Sequence, residues 1–363
     1  MRNSSDKIFI GTMSGTSHDG IDVCAIKFSN EISLLKFNSF NYAAGLRKDI
    51  SKVIQQQELS LEKYFELNNK IGIAFSGSIK KFLTQNKINK RNVAAIGLSG
   101  QTLFHKPKGK YPFSIQAGDP LVIADECEID VVSDFRNDHI KLGGEGAPLV
   151  PEFHQKIFSK KNTPLVVLNI GGISNFTYLD GKDDFNGSDC GPGNALIDIY
   201  CQNFLNRPFD KNGEHAKNGK VHTPSLNKML AHSFFKMRHP KSTGKEIFNI
   251  KFIPKKLLKR SSCDVLATLT ELTAVCIKKS ISSLKKTPHK VIICGGGQKN
   301  KFLVTSIENH IEMALTSSSE YGFDPQAIEA MAFGWMASQR IYKNPLYVKD
   351  KKGLLGKITR FRQ

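Results

Sequence analysis

The sequence predicts an α/β protein of two domains built by duplication. Three features carry that expectation. A strand–loop–strand unit opens the chain at Lys7–Phe28, KIFIGTMSGTSHDGIDVCAIKF. The same layout returns at Thr163–Asp180, TPLVVLNIGGISNFTYLD. Two further apolar strands, Asn92–Leu98 and Val291–Cys294, each run into glycine and small polar residues. Such groups at the carboxyl ends of buried strands sit where open α/β sheets bind ligands. At 363 residues the chain is long enough for two cores.

In the first unit, Lys7–Gly11 and Asp22–Phe28 read as strands because β-branched and apolar residues fill them between turn residues. The loop between them carries Gly11, Gly15 and Gly20, several hydroxyls, and the carboxylates Asp19 and Asp22. Glycines let backbone N–H groups approach a ligand, and a carboxylate can hold a hydrated cation, so the loop suits a polyphosphate with its metal. It lacks the Gly-Lys-Ser/Thr ending of a Walker loop. The plainer reading is a hairpin with a polar turn.

Glu31–Phe40 continues as a strand, and apolar spacing predicts helices over Leu46–Gln57 and Leu59–Gln85. After the strand Asn92–Leu98, Ser99-Gly100-Gln101-Thr102 offers Gln101 and Thr102 as substrate contacts, against ordinary loop polarity. A short helix, Leu121–Cys127, and a strand, Asp130–Ser133, follow. A glycine- and proline-bearing turn after Arg136 marks the domain junction. Arg136 can pair bidentately with a substrate carboxylate, or form an ion pair with Asp134 or Asp138. The expected domains are therefore 1–134, with the basic tail 345–363 packing back on it, and 135–344.

The recurrence at Thr163–Asp180 predicts one phosphate loop per half, two loops gripping one polyphosphate; a coincidental hairpin is the alternative. In Asn186–Asp198, Asn194 is expected to cap a helix over Ala195–Leu205. Asp189 then lies just ahead of a helix N-terminus, whose dipole favours the ionised form a general base needs; a turn aspartate bonding its own backbone is the alternative. Asp264–Ser283 is an amphipathic helix. Gly295-Gly296-Gly297 follows a strand and precedes the helix Asn300–Ile311, which suits close approach to a flat or phosphorylated ligand. The last helix is expected to start at Asp324-Pro325. Glu329, in its first turn, either reaches the ligand site or complements the helix dipole as a surface acid.

Composition narrows the function classes. The 40% hydrophobic and 23% charged fractions describe a soluble globular protein, and no apolar run is long enough to span a bilayer. The N-terminal apolar stretch is too short for a signal peptide. Seven scattered cysteines without a CxxC pair fit free thiols in a reducing cytoplasm, and no HExxH or paired-cysteine pattern proposes a structural metal. The net charge of +19 is spread over the length without interleaved aromatics. That reads as a solvated basic surface, or as a field drawing in an anionic small molecule, in preference to nucleic-acid or membrane binding.

Taken together, the segments GTMSGTSHDGID (11–22), SGQTLFH (99–105), SDFR (133–136), GGEGAPLVPEFH (143–154), NIGGISN (169–175), DCGPGNALID (189–198), KSTGKEIFN (241–249), CGGGQKN (294–300) and DPQAIEAMAFGW (324–335) resemble the anhydro-N-acetylmuramic acid kinases, in order and over nearly the whole chain. The resemblance implies an actin, sugar kinase and Hsp70 ATPase-like fold, a duplicated ribonuclease H-like α/β domain around a cleft. It implies conversion of 1,6-anhydro-N-acetylmuramic acid, ATP and water into N-acetylmuramic acid 6-phosphate and ADP, in murein recycling. ATP and Mg²⁺ are the implied cofactors; the implied partners are small molecules, with neither nucleic acid nor membrane, and a homodimer is left open.

Residue by residue, Asp189 matches the family's catalytic base and Glu329 a glutamate near the reacting sugar. Gly11, Thr12, Met13, Ser14, Gly15, Thr16, Ser17, His18 and Asp19 match one phosphate loop, with Asp19 expected to hold Mg²⁺ through water. Gly171, Gly172, Ile173, Ser174 and Asn175 match the second. Gly295, Gly296, Gly297 and Asn300 match the adenosine side, and Gln101, Thr102 and Arg136 fall in segments like the family's substrate contacts. The chain departs from the family at His18, where an apolar residue is usual, at His139 in place of aspartate, and at Glu145 in place of glutamine. Other readings are a phosphotransferase acting on an ordinary sugar hydroxyl, which needs no water, and an ATP-gated binding protein of the Hsp70 or actin kind.

Overall fold

The computed structural model describes residues 7–15, 18–28, 31–182, 184–244 and 247–362. Two compact units divide the chain: one holds everything up to Phe153 and from Gln326 onward, the other His154–Pro325.

In the first unit, β1 (Ile8–Met13), β2 (Gly20–Phe28) and β3 (Ile32–Asn41) form an antiparallel meander. Helices α1 (Ala44–Gln56) and α2 (Leu61–Gln85) follow, and the Ser60 side chain caps α2 by accepting the Lys63 amide. β4 (Val93–Gly97) then returns parallel to β1. A separate hairpin, β5 (Gln101–Lys106) with β6 (Phe113–Ala117), leads to α3 (Pro120–Cys127), β7 (Val131–Ser133) and α4 (Phe135–Lys141). Ile10, Val23 and Ala25 of the meander share one core with Ile71, Phe75 and Ile79 of α2 and with Ile96 and Val131.

Helix α5 (Pro151–Phe158) spans the division at Phe153. In the second unit, β8 (Leu165–Ile170), β9 (Ile173–Leu179) and β10 (Phe185–Pro192) form a second antiparallel meander. Helices α6 (Ala195–Phe204), α7 (Thr223–Leu230) and α8 (Lys255–Leu258) precede the long α9 (Ser262–Ser282), whose N-terminus Ser261 caps. β11 (Lys290–Cys294) returns parallel to β8, and α10 (Lys301–Ile311) carries the chain to β12 (Leu315–Ser317). Every residue of β8 is buried, as a strand covered on both faces must be.

The chain then rejoins the first unit as α11 (Ile328–Ile341), followed by the hairpin β13 (Leu346–Val348) and β14 (Lys351–Gly353) and by β15 (Lys357–Thr359). β15 pairs antiparallel with β7, so the tail closes the sheet order β3-β2-β1-β4-β7-β15. The second sheet runs β10-β9-β8-β11-β12. In each unit three antiparallel strands are followed by two parallel ones in the same spatial order. This is the duplicated ribonuclease H-like arrangement of the actin and sugar kinase class.

Two boundaries differ from the sequence-based expectation. Residues 135–153 and the helix after 326 belong to the first unit, not the second. The reason is close backbone packing: a Cβ on Gly11 would lie 1.9 Å from the Ala330 carbonyl oxygen, and one on Gly97 would lie 2.1 Å from that of Phe333. Only glycine admits α11 so near the sheet. The helix also begins at Ile328 instead of Asp324, after a turn, with no side-chain cap.

Candidate functional site

In the first unit the expected phosphate segment is partly strand. Gly11 and Thr12 sit inside the sheet, where Gly11 pairs with Cys24 and Gly97 and the Thr12 hydroxyl donates to the Gly97 carbonyl at 3.1 Å. Thr12 is fully buried, so its side chain belongs to the scaffold, and Met13 ends the strand. Thr16 and Ser17 lie outside the described residues. Ser14 is the knot of the loop. Its amide donates to Ser99 Oγ at 3.1 Å, its hydroxyl lies 2.7 Å from Gln101 Oε1 and 2.9 Å from the Gly20 carbonyl, and it accepts the Tyr42 hydroxyl at 3.0 Å. Gln101 is fully buried and also reaches the Gly15 carbonyl. Its place is beneath the loop, holding it; Thr102 bonds Gln116 at 2.8 Å.

His18 adopts the left-handed backbone, with φ of 44°, and its Nε2 lies 2.7 Å from Ser51 Oγ on α1. The ring thereby anchors the loop to α1. Asp19 is exposed and ion-paired with Arg47.

A second cluster of the first unit surrounds Arg136, in the opening turn of α4. Its Nη1 donates to the Gly146 carbonyl at 2.8 Å, and its Cζ lies 5.9 Å from the Phe333 ring centroid. Burial holds the guanidinium below its ordinary pKa, and the Glu329 carboxylate of α11 opposes that shift, so the fold brings these two candidates together. Arg136 Nε is buried and has no hydrogen-bond partner among the described residues. Asp134 and Asp138, the alternative partners, are engaged with Lys357 and Lys141. His139 accepts the Gly146 amide at 2.9 Å, and Glu145 pairs with Lys108 at 3.1 Å, so both tie down the turn beside Arg136.

Burial, and next the Arg136 charge, lower the pKa values of His105 and His139 from 6.5 to about 4. Between pH 6.5 and 4 the unfolded chain therefore binds more protons than the folded one, and stability falls as pH falls through that window. The urea midpoint is expected to drop between pH 7 and about pH 5; a constant midpoint contradicts this electrostatic picture.

In the second unit, β8 and β9 are joined through Gly171-Gly172. The Gly171 carbonyl accepts the Asn194 amide at 2.9 Å and its side chain at 3.2 Å, and the Gly172 carbonyl accepts the amides of Gly193 and Ala195. The hairpin therefore takes the amides of Gly193, Asn194 and Ala195 at the entry to α6, and Asn194 makes no side-chain cap, contrary to expectation. Ser174 is fully buried, with its hydroxyl 3.2 Å from the Gly191 carbonyl.

Asp189 stands on β10, paired in register with Asn175 of β9, immediately before a bulge at Asp189/Gly191. It is in a strand, six positions ahead of α6, and not at the helix mouth. Asp189 is 8% exposed; its amide donates to the Lys241 carbonyl at 2.9 Å, and its Oδ2 accepts the Thr243 amide at 2.8 Å. That brace, 54 residues away in sequence, is the contact sequence reading missed. Its available signal was the compact polar turn Lys241-Ser242-Thr243-Gly244; Lys245 and Glu246 lie outside the described residues.

The glycine triplet packs on the end of β8. Gly295, with φ of 82°, and Gly297 would each drive a Cβ into Asn169 or Ile170, whereas a Cβ on Gly296 meets nothing within 4 Å. Gly296 is thus the open backbone of the three. Asn300 accepts the Leu303 amide at 3.1 Å and caps α10. Among the described residues no three His, Cys, Asp or Glu side chains gather as a metal site, all seven cysteines are unbridged, and no helix is long and apolar enough to cross a membrane.

An anhydro-N-acetylmuramic acid kinase from Gamma-proteobacterium EBAC31A08 is 46% identical over 363 residues, covering 98% of this chain and 99% of the relative. One from Pasteurella multocida (strain Pm70) is 38% identical over 343 residues, covering 93% and 91%. Among solved structures, an activator of the 2-hydroxyisocaproyl-CoA dehydratase from Clostridium difficile with bound ADPNP matches at a TM-score of 0.49 and 9% identity, covering 94% of this chain and 99% of that one. The family model for anhydro-N-acetylmuramic acid kinase matches residues 7–359. The chain belongs to the anhydro-N-acetylmuramic acid kinase family.

Proposed function

We propose that the chain phosphorylates 1,6-anhydro-N-acetylmuramic acid with ATP while water opens the anhydro bridge, with Asp189 as the general base. The products are N-acetylmuramic acid 6-phosphate and ADP, and the setting is cytoplasmic murein recycling. The observation that supports this most is the bracing of Asp189: a nearly buried carboxylate beside the second glycine hairpin, oriented by the Thr243 amide.

Asp189 takes a proton from water as the water oxygen bonds the anomeric carbon. The bond from that carbon to O6 breaks, and O6 captures the γ-phosphoryl group, releasing ADP; the proton on Asp189 passes to solvent. One carboxylate suffices, because the leaving oxygen needs a phosphorus and not a second acid. The backbone of Gly15, Gly171 and Gly172 suits phosphate oxygens, and Gly296 suits the adenosine side. Mg²⁺ carried with the nucleotide would neutralise phosphate charge. A single carboxylate plus water is an ordinary Mg²⁺ donor set, and Asp19 fits it once Arg47 releases it.

Arg136, with its unpartnered Nε, would receive the lactyl carboxylate of the sugar, and Glu329 would orient the guanidinium. A lysine ammonium cannot offer the planar fork of donors. Arg136→Lys is therefore expected to raise KM for the sugar roughly tenfold or more and leave KM for ATP unchanged. An unchanged sugar KM removes Arg136 from the substrate site. The function itself is tested by ADP release that requires the anhydro sugar, with the product identified by mass as the 6-phosphate. Release with an ordinary hexose but none with the anhydro sugar moves the chain to simple hydroxyl phosphorylation.

A further inference from the structure

In the second unit a cavity of about 420 Å³ opens between residues 235–241 and the C-terminal half of α9. Cys190, the neighbour of Asp189, forms part of its wall. Arg238, His239, Lys241, Lys279, Ser280 and Ser283 supply its polar lining, and no carboxylate lines it among the described residues. The two hydroxyls already donate to the carbonyls of Cys276 and Ser280, so the three cations around one hollow are the donor set for a tetrahedral anion.

Lys241 is the centre of that set. It is only 5% exposed, yet among the described residues its ammonium makes one hydrogen bond, to the Phe234 carbonyl at 3.2 Å, and lies 4.5 Å from the Phe234 ring centroid. Among the described residues no carboxylate forms an ion pair with Lys241, Arg238 or Lys279, and the Asp189 carboxylate acts on the Lys241 charge only from beyond ion-pair distance. A buried ammonium with unused donors is costly unless an anion completes it. His239 is held neutral by burial, then by the Lys241 charge, with its pKa lowered to about 4. It therefore adds a polar group without a further positive charge at neutral pH.

We propose that this cavity is an effector site for a phosphate dianion, carried by a small phosphate monoester or free in solution, and that its occupancy tunes Asp189. The link is short. The Lys241 carbonyl accepts the Asp189 amide, the Lys241 amide donates to Ser188 Oγ at 2.9 Å, and Thr243 grips the Asp189 carboxylate. An anion that fixes the Lys241 ammonium also fixes the backbone that aims the base. The tuning rests on the reading of Asp189 as base; the binding does not.

The test is calorimetric titration of the full chain with inorganic phosphate, glucose 6-phosphate and, as a neutral control, glucose. It is run with a saturating non-hydrolysable ATP analogue so that the nucleotide site is filled. One phosphate-dependent site is expected, weakened roughly tenfold or more in Arg238→Gln/Lys279→Gln, two exposed positions. Tighter binding of glucose 6-phosphate than of phosphate assigns the site to a monoester, and equal binding assigns it to the free ion. Absence of binding by either probe, binding unchanged in the double variant, or binding abolished by the ATP analogue overturns the site. A second arm measures ADP release. The double variant is expected to keep basal turnover and lose the response to glucose 6-phosphate, whereas binding without any change in wild-type turnover overturns the tuning alone.

Discussion

Asp189→Asn is expected to lower kcat by roughly 10²–10⁴ with little change in ATP affinity, because it removes the group that accepts the water's proton. The substitution is close in shape, and its side-chain oxygen can still accept the Thr243 amide that holds Oδ2 at 2.8 Å. The fold should therefore survive, and thermal melting of the variant checks that directly. Single-turnover measurements with saturating anhydro sugar separate the lost chemical step from product release. Turnover close to that of the natural chain would take Asp189 out of the reaction, however well braced it is.

The largest effect on stability is expected at Gly97. An alanine Cβ there would stand 2.1 Å from the Phe333 carbonyl oxygen, 2.5 Å from its carbon and 3.0 Å from the Gly334 amide nitrogen. These are backbone atoms of a buried helix, so the clash is relieved only by moving α11 off the sheet. Overpacking of this kind costs about 3 kcal/mol or more. Gly77→Ala is the control, since its Cβ meets nothing within 4 Å and the position is an exposed turn of α2. There alanine should stabilise by about 0.5–1 kcal/mol. Urea titrations of both variants check the pair; similar stabilities would mean that α11 does not seat on Gly97.

The two meanders were legible in the sequence because their signals are local. Apolar strands bounded by glycine and small polar residues announce themselves within a few positions, and the repeat of that layout near Thr163 carried the duplication. What stayed hidden depends on partners distant in sequence. Nothing around Gln326 says that the next helix lies against Gly11 and Gly97, so the expected boundaries assigned α11 to the wrong unit. Asn194 has the right composition for a cap, but its side-chain amide donates to the Gly171 carbonyl instead. Gln101 was proposed as a substrate contact because it follows a buried strand, and Ser14 because it matches a phosphate loop. Both are buried and bond each other, a contact that only the fold reveals. Asp189 was singled out by its place ahead of the helix at Ala195 and by the resemblance, while its brace at Thr243 needed the fold.

A single-turnover reaction in ¹⁸O-enriched water tests the mechanism most directly, because it follows the oxygen that Asp189 is said to activate. The account predicts one heavy oxygen at C1 of the phosphorylated sugar and none in the bridge between O6 and phosphorus. A phosphorylated product with no label at C1 from that turnover, after correction for anomeric exchange, would contradict it.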